Sequence, residues 1–186
     1  MILNREPIKQ WLAKLGSERI DETFDPSITV QRAIDTYRAK GYPEEWIIKR
    51  IKGIQDRKKL TDTWNEHGVS TEKEYAILTN EIYKEWSGFT AKEYKDYKGL
   101  RKESLRDNMT DVEVALADLG EIATRELTKK KNPKGLDENK KIARQGGNVS
   151  KVARNQLESE LNESVISNEN NLNYKYIDSQ KIENKK

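Results

Sequence analysis

Apolar residues recur at three- and four-residue steps along most of the chain, the period of helices that bury one face. The widest stripe is Val112, Ala115, Leu116, Leu119, Ile122, Ala123 and Leu127. Just ahead of it, Thr110-Asp111-Val112-Glu113 has the form of a capping box, in which the Thr110 hydroxyl accepts the Glu113 amide and the Glu113 carboxylate accepts the Thr110 amide. The pattern predicts that the central helix of the fold starts there.

The same signals predict the other helices. Thr71 with Glu74 opens a helix through Tyr75, Leu78, Ile82 and Trp86 that Gly88 closes, and Thr90 with Glu93 opens a short one ending at Gly99. Upstream, Pro7 begins a short helix with Ile8, Trp11, Leu12 and Leu15 on one face and Gly16 as its stop, expected to pack on a neighbour. Asp25-Pro26 starts a second helix, with Val30, Ala33, Ile34 and Tyr37, that Gly41 ends. Pro43 opens a third with Trp46, Ile47, Arg50, Ile51 and Ile54 on its buried side and Trp64 near its end. Downstream, Lys129 to Gly135 reads as a breaker, followed by a helix over 137–144, a turn at Gly146-Gly147, and a helix over 149–161 with Val152, Leu157 and Leu161 as its apolar face. No alternating run of strand length appears before the polar end of the chain. The expected architecture is an all-α bundle of helical hairpins over residues 5–165, with an extension at 1–4 and a disordered tail at 166–186.

Several short motifs resemble one family. Ser87-Gly88-Phe89-Thr90, Glu93-Tyr94-Lys95, Lys98-Gly99-Leu100, Leu105-Arg106-Asp107-Asn108-Met109-Thr110 and the later Gly146-Gly147-Asn148-Val149 with Ala153-Arg154 are similar, in order and spacing, to the C-terminal region of the DNA-damage-inducible protein D group. That group overlaps with phage antirepressor-like proteins carrying a BRO-type N-terminal domain. The resemblance runs from about Pro7 to Ser167 and implies the family's C-terminal half alone, since Met1 stands only a few residues before its start. It implies a regulatory protein of the DNA-damage (SOS) or prophage response. The partner it implies is either a repressor or the recombinase RecA.

Composition narrows the chemistry. With 34% hydrophobic and 36% charged residues, much of the chain must be solvated helix surface. The absence of cysteine excludes a disulfide, a thiolate nucleophile and a cysteine metal cluster, and suits the cytoplasm. No apolar run is long enough for a membrane span. His67, the single histidine, sits in a polar loop and reads as a turn residue. Ser104 and Ser150 have no histidine at helical spacing, and no phosphate-binding glycine loop or calcium-type acidic loop occurs. Neither an enzyme, a cofactor nor a metal site is expected.

Charge offers more. The 35 Lys and Arg residues barely outnumber the 32 Asp and Glu residues, yet nine bases fall between positions 129 and 154 against two acids. They are Lys129, Lys130, Lys131, Lys134, Lys140, Lys141, Arg144, Lys151 and Arg154. A weaker band holds Lys92, Lys95, Lys98, Arg101, Lys102 and Arg106, with Tyr94 and Tyr97 interleaved as candidate partner-binding residues. Either band is a solvated helix surface or a site where cations neutralise phosphates and rings stack on bases. The hairpin at 26–64 carries basic residues too, but Glu44, Glu45 and Asp56 interleave with them as on an ordinary solvated face. The expected function is protein binding, as an antirepressor or a modulator of RecA; direct nonspecific or single-strand DNA binding through 129–154 is the alternative. A homo-oligomer stays open.

Overall fold

The computed structural model describes residues 6–169, and the contacts divide the chain into two compact units, Met1–Lys52 and Gly53–Lys186. Seven α-helices and one 3-10 turn account for the described residues, and no strand occurs among them. The fold is all-α.

In the first unit, α1 (Glu6–Phe24) and α2 (Ser27–Ala39) form a hairpin, and α3 (Glu44–Glu66) begins. The expected stop at Gly16 is wrong, because α1 runs through it to Phe24. One glycine costs a helix only about 1 kcal/mol. The hairpin is held by Arg32, which pairs with Glu18 at 3.1 Å and Glu22 at 2.9 Å. Tyr42 stacks on Trp46 at 3.9 Å, with the Tyr37 ring edge-on to both. Ile8, Trp11 and Leu12 remain more than half exposed, so the packing expected for that face is not found.

The second unit continues α3 and adds α4 (Glu72–Ser87), α5 (Ala91–Tyr97), a 3-10 turn at Arg106–Asn108, α6 (Asp111–Lys131) and α7 (Gly135–Leu161). All three expected capping boxes form. Helices α4, α6 and α7 pack on one another around Leu78, Ile82, Trp86, Leu116, Ala117 and Ala143, with Leu60 and Trp64 of α3 in the same core.

Two expectations fail here for one reason. The glycine pair does not end a helix: α7 is continuous from Gly135 to Leu161, and Gly146 and Gly147 lie buried inside it. A Cβ on Gly146 would stand 2.0 Å from Thr124 Oγ1, and one on Gly147 would stand 2.7 Å from the Ile82 carbonyl oxygen. The glycines are there because α6 and α4 come that close. Accordingly α6 buries Glu113, Leu116, Ala117, Gly120, Glu121, Thr124 and Thr128, whereas Val112 and Ile122 of the expected stripe are 37% and 40% exposed. Small residues bring helix backbones together, and here they set the buried side ahead of the larger aliphatic ones.

The expected tail boundary at 165 falls inside ordered chain. After Asn162 ends α7 in the left-handed region (φ 54°), Val165 and Ile166 pack against the core. Residues 170–186, the rest of the expected tail, and residues 1–5 at the other end lie outside the described residues.

The capping boxes carry a pH signature. Bonding to the Thr71 hydroxyl first, then to its amide, holds the Glu74 carboxyl below its usual range, and the Thr90 amide and hydroxyl do the same for Glu93. A depressed carboxyl contributes stability above its unfolded pKa that is lost as pH falls through the folded value. Melting temperature is therefore expected to drop below about pH 4.5, and less steeply in a Glu74→Gln/Glu93→Gln chain, as circular dichroism would register. Parallel curves for the two chains would refute it.

Candidate binding site

Tyr94 and Lys98 lie one turn apart on α5 and just beyond it, both facing the start of α6. The Tyr94 hydroxyl donates to Glu113 Oε1 at 2.6 Å, and Lys98 Nζ pairs with Glu113 Oε2 at 2.8 Å. Neither side chain of the ion pair is exposed. Glu113 is also the capping-box acid, accepting the Thr110 amide at 2.7 Å, and it accepts the Ser167 amide at 3.1 Å. Four donors converge on one carboxylate, enough to hold a charge out of water. Burial, then the Glu113 carboxylate, pushes the Tyr94 phenol well above its ordinary pKa, so it stays a donor. Tyr94 is a core residue rather than a partner contact. Tyr97 is 43% exposed, stacks on Phe89 with centroids 5.1 Å apart and is tilted against Tyr94 at 6.3 Å.

Arg106 belongs to a second network. It donates to the Tyr83 hydroxyl at 3.0 Å and pairs with Asp118 and, at 2.8 Å, with Glu121. Glu121 is shared at 3.3 Å with Arg57, which also bonds Thr79 and lies over the Trp64 ring. This cluster ties α3, α4 and α6 together. Of the weaker basic band, Lys98 and Arg106 are thus structural, Lys95 is half-buried, and Lys92, Arg101 and Lys102 stay exposed.

The 129–154 band divides in the same way. Arg144 pairs with Glu81 at 2.7 Å, Lys151 with Glu85 at 3.2 Å, and Arg154 donates to the Trp86 carbonyl at 2.7 Å while pairing with Glu158. These three hold α7 against α4 or close its own turn. Lys129 pairs with Glu126 at 3.5 Å and Lys140 with Asp137 at 3.4 Å, both on the surface. Lys131 reaches only the neutral Gln145 amide, at 2.5 Å. Lys130, Lys134 and Lys141 are exposed with no ion pair among the described residues. The cations with no ion pair among the described residues thus fall at the α6–α7 turn, as Lys130, Lys131 and Lys134, and in the second turn of α7, as Lys141.

His67 and Ser150, two residues considered for chemistry in the sequence, are both committed to main-chain oxygens. The His67 ring Nδ1 lies 2.7 Å from the Thr63 carbonyl, and the residue is half-buried, so it caps the end of α3 rather than standing free in solvent. Buried Ser150 donates to the Leu116 carbonyl at 2.5 Å, a bond between α7 and α6. Among the described residues, no group of three His, Asp or Glu side chains could hold a metal ion, and no helix is long and apolar enough to cross a membrane.

The DinD C-terminal domain family matches residues 45–174, more than half of the chain. The chain belongs to this family. No curated protein and no solved structure matches it. Several residues of the short motifs noted in the sequence lie in the networks just described. Thr90 and Thr110 cap helices, the Ser87 hydroxyl donates to the Tyr83 carbonyl at 2.7 Å, Gly146 and Gly147 admit α6 and α4, and Arg154 binds the end of α4. The acids that complete these networks, Glu81, Glu85, Asp118 and Glu121, carry no local signal in the sequence. Glu113 carries one, its place three residues after Thr110, but that spacing announces only the cap.

Proposed function

We propose that this DinD-family chain is a non-enzymatic regulator of the DNA-damage response that works by binding another protein. The supporting observation is the outward side of α6 and α7. Val112 and Ile122 on α6 and Val149 and Val152 on α7, two helices packed side by side, are 37%, 40%, 43% and 60% exposed. Aliphatic residues held on a rigid pair of helices offer a docking face rather than a catalytic one. The damage-inducible character of the family favours the RecA filament over a repressor as the partner.

The test is binding of labelled chain to RecA filaments on single-stranded DNA, with an Ile122→Asp/Val152→Asp chain beside it. The reading expects saturable binding that weakens at least about ten-fold in the variant at unchanged melting temperature. Equal binding by both chains would reject the face; no binding by either would reject RecA and turn the search to a repressor.

A second reading rests on Lys130, Lys134 and Lys141, whose ammonium groups make no ion pair among the described residues. Cations so placed suit phosphates. Direct DNA binding would appear as an affinity that falls steeply with salt and is lost when Lys130, Lys134 and Lys141 become Ala, while Ile122→Ser/Val152→Ser leaves it unchanged.

A further inference from the structure

The segment after α7 is bound to the second unit as a ligand is bound to a receptor. Val165 and Ile166 pack on the core, the Ser167 amide donates to Glu113 at 3.1 Å, and Lys98 Nζ donates to the carbonyls of Ser167 and Glu169, each at 2.8 Å. An ammonium has three N–H donors. Lys98, whose side chain is wholly buried, spends one on Glu113 and aims the other two at main-chain oxygens of this strap. Every polar contact from Ser167 and Glu169 to the Lys98–Glu113 pair is made by backbone atoms, so side-chain identity enters mainly through the aliphatic pair. Recognition of a non-helical segment by main-chain bonds plus side-chain pockets is how peptide-binding sites read a partner.

We propose that the Lys98–Glu113 notch is an exchangeable peptide site. Residues 164–169 occupy it in cis. Its trans occupant is a non-helical segment of a partner protein with two adjacent β-branched aliphatic residues followed by a residue whose amide is free to donate. The left-handed turn at Asn162 separates strap from helix, so the strap can leave without unwinding α7. This site is independent of the α6–α7 face, and neither proposal falls with the other.

The experiment uses the full chain and a fluorescein-labelled peptide of residues 163–169. Val165→Asp/Ile166→Asp removes the aliphatic anchors and should release the strap. The released chain is expected to bind the peptide saturably, and the unaltered chain at least about ten-fold more weakly, because its own strap competes at an effective concentration on the order of millimolar. A peptide bearing the same two aspartates should not bind, and one methylated on the serine amide nitrogen should bind at least about ten-fold more weakly, since that N–H is what Glu113 accepts. If the double variant unfolds, Ser167→Pro, which removes that amide hydrogen together with the hydroxyl that accepts the Glu169 amide, carries the same comparison. Equal binding by the unaltered and released chains, or none by a folded released chain, overturns the proposal.

Discussion

Gly146→Ala is expected to destabilise the second unit by about 2–4 kcal/mol, although alanine is the better helix former by about 1 kcal/mol. The added methyl would sit 2.0 Å from Thr124 Oγ1 and, more seriously, 2.6 and 2.7 Å from the Thr124 backbone nitrogen and Cα. The hydroxyl can rotate away; the α6 backbone cannot. Relief requires α6 and α7 to separate, which would open the contacts made by Gly120 and Ser150 along the same seam. Gly53→Ala is the control: it too is a helix-interior glycine, yet nothing stands within 4 Å of its added Cβ, so it should gain up to about 1 kcal/mol. Urea unfolding of the two variants beside the unaltered chain measures both. A neutral or stabilising Gly146→Ala would mean that the helices are not in such close approach.

That opposite sign from one substitution type explains what could be read from the sequence. Three helix starts were legible because Thr71, Thr90 and Thr110 each act on a residue three positions away, and no tertiary contact intervenes. Helical class was legible for the same local reason. The continuity of α7 was not, because a Gly-Gly pair signals a turn unless another backbone occupies the space it leaves, and that backbone belongs to Thr124 and Ile82, distant in sequence. The buried side of α6 was misjudged likewise: aliphatic size marked Val112 and Ile122, whereas closeness of approach selected Gly120, Thr124 and Thr128. In the basic band, sequence supplied the cations but not their partners. Glu81 and Glu85 precede Arg144 and Lys151 by more than sixty residues, so only the fold sorts paired from solvent-facing charges.

The largest single loss is expected from Glu113→Ala, about 4–5 kcal/mol, and Lys98→Met should cost less, about 2–3 kcal/mol. The asymmetry follows from what each change strands. Without Glu113, Lys98 stays buried with no counter-charge, facing the Ser167 and Glu169 carbonyls and the Tyr94 ring, the Tyr94 hydroxyl loses its acceptor, and the Thr110 amide at the head of α6 loses its cap. Without Lys98, the Glu113 carboxylate keeps three donors, the Tyr94 hydroxyl and the Thr110 and Ser167 amides. The double variant leaves no unpaired charge, so its cost should fall short of the two single costs combined by at least about 1 kcal/mol. Urea unfolding of the four chains closes the cycle. Additive costs would mean that the pair is wet enough to be screened, and equal single costs would mean that the amides around Glu113 compensate it no better than two carbonyls compensate Lys98. The predicted order, with Glu113→Ala worst and the double variant less than additive, would mark this buried pair as the joint on which α5, the α6 cap and the strap all depend.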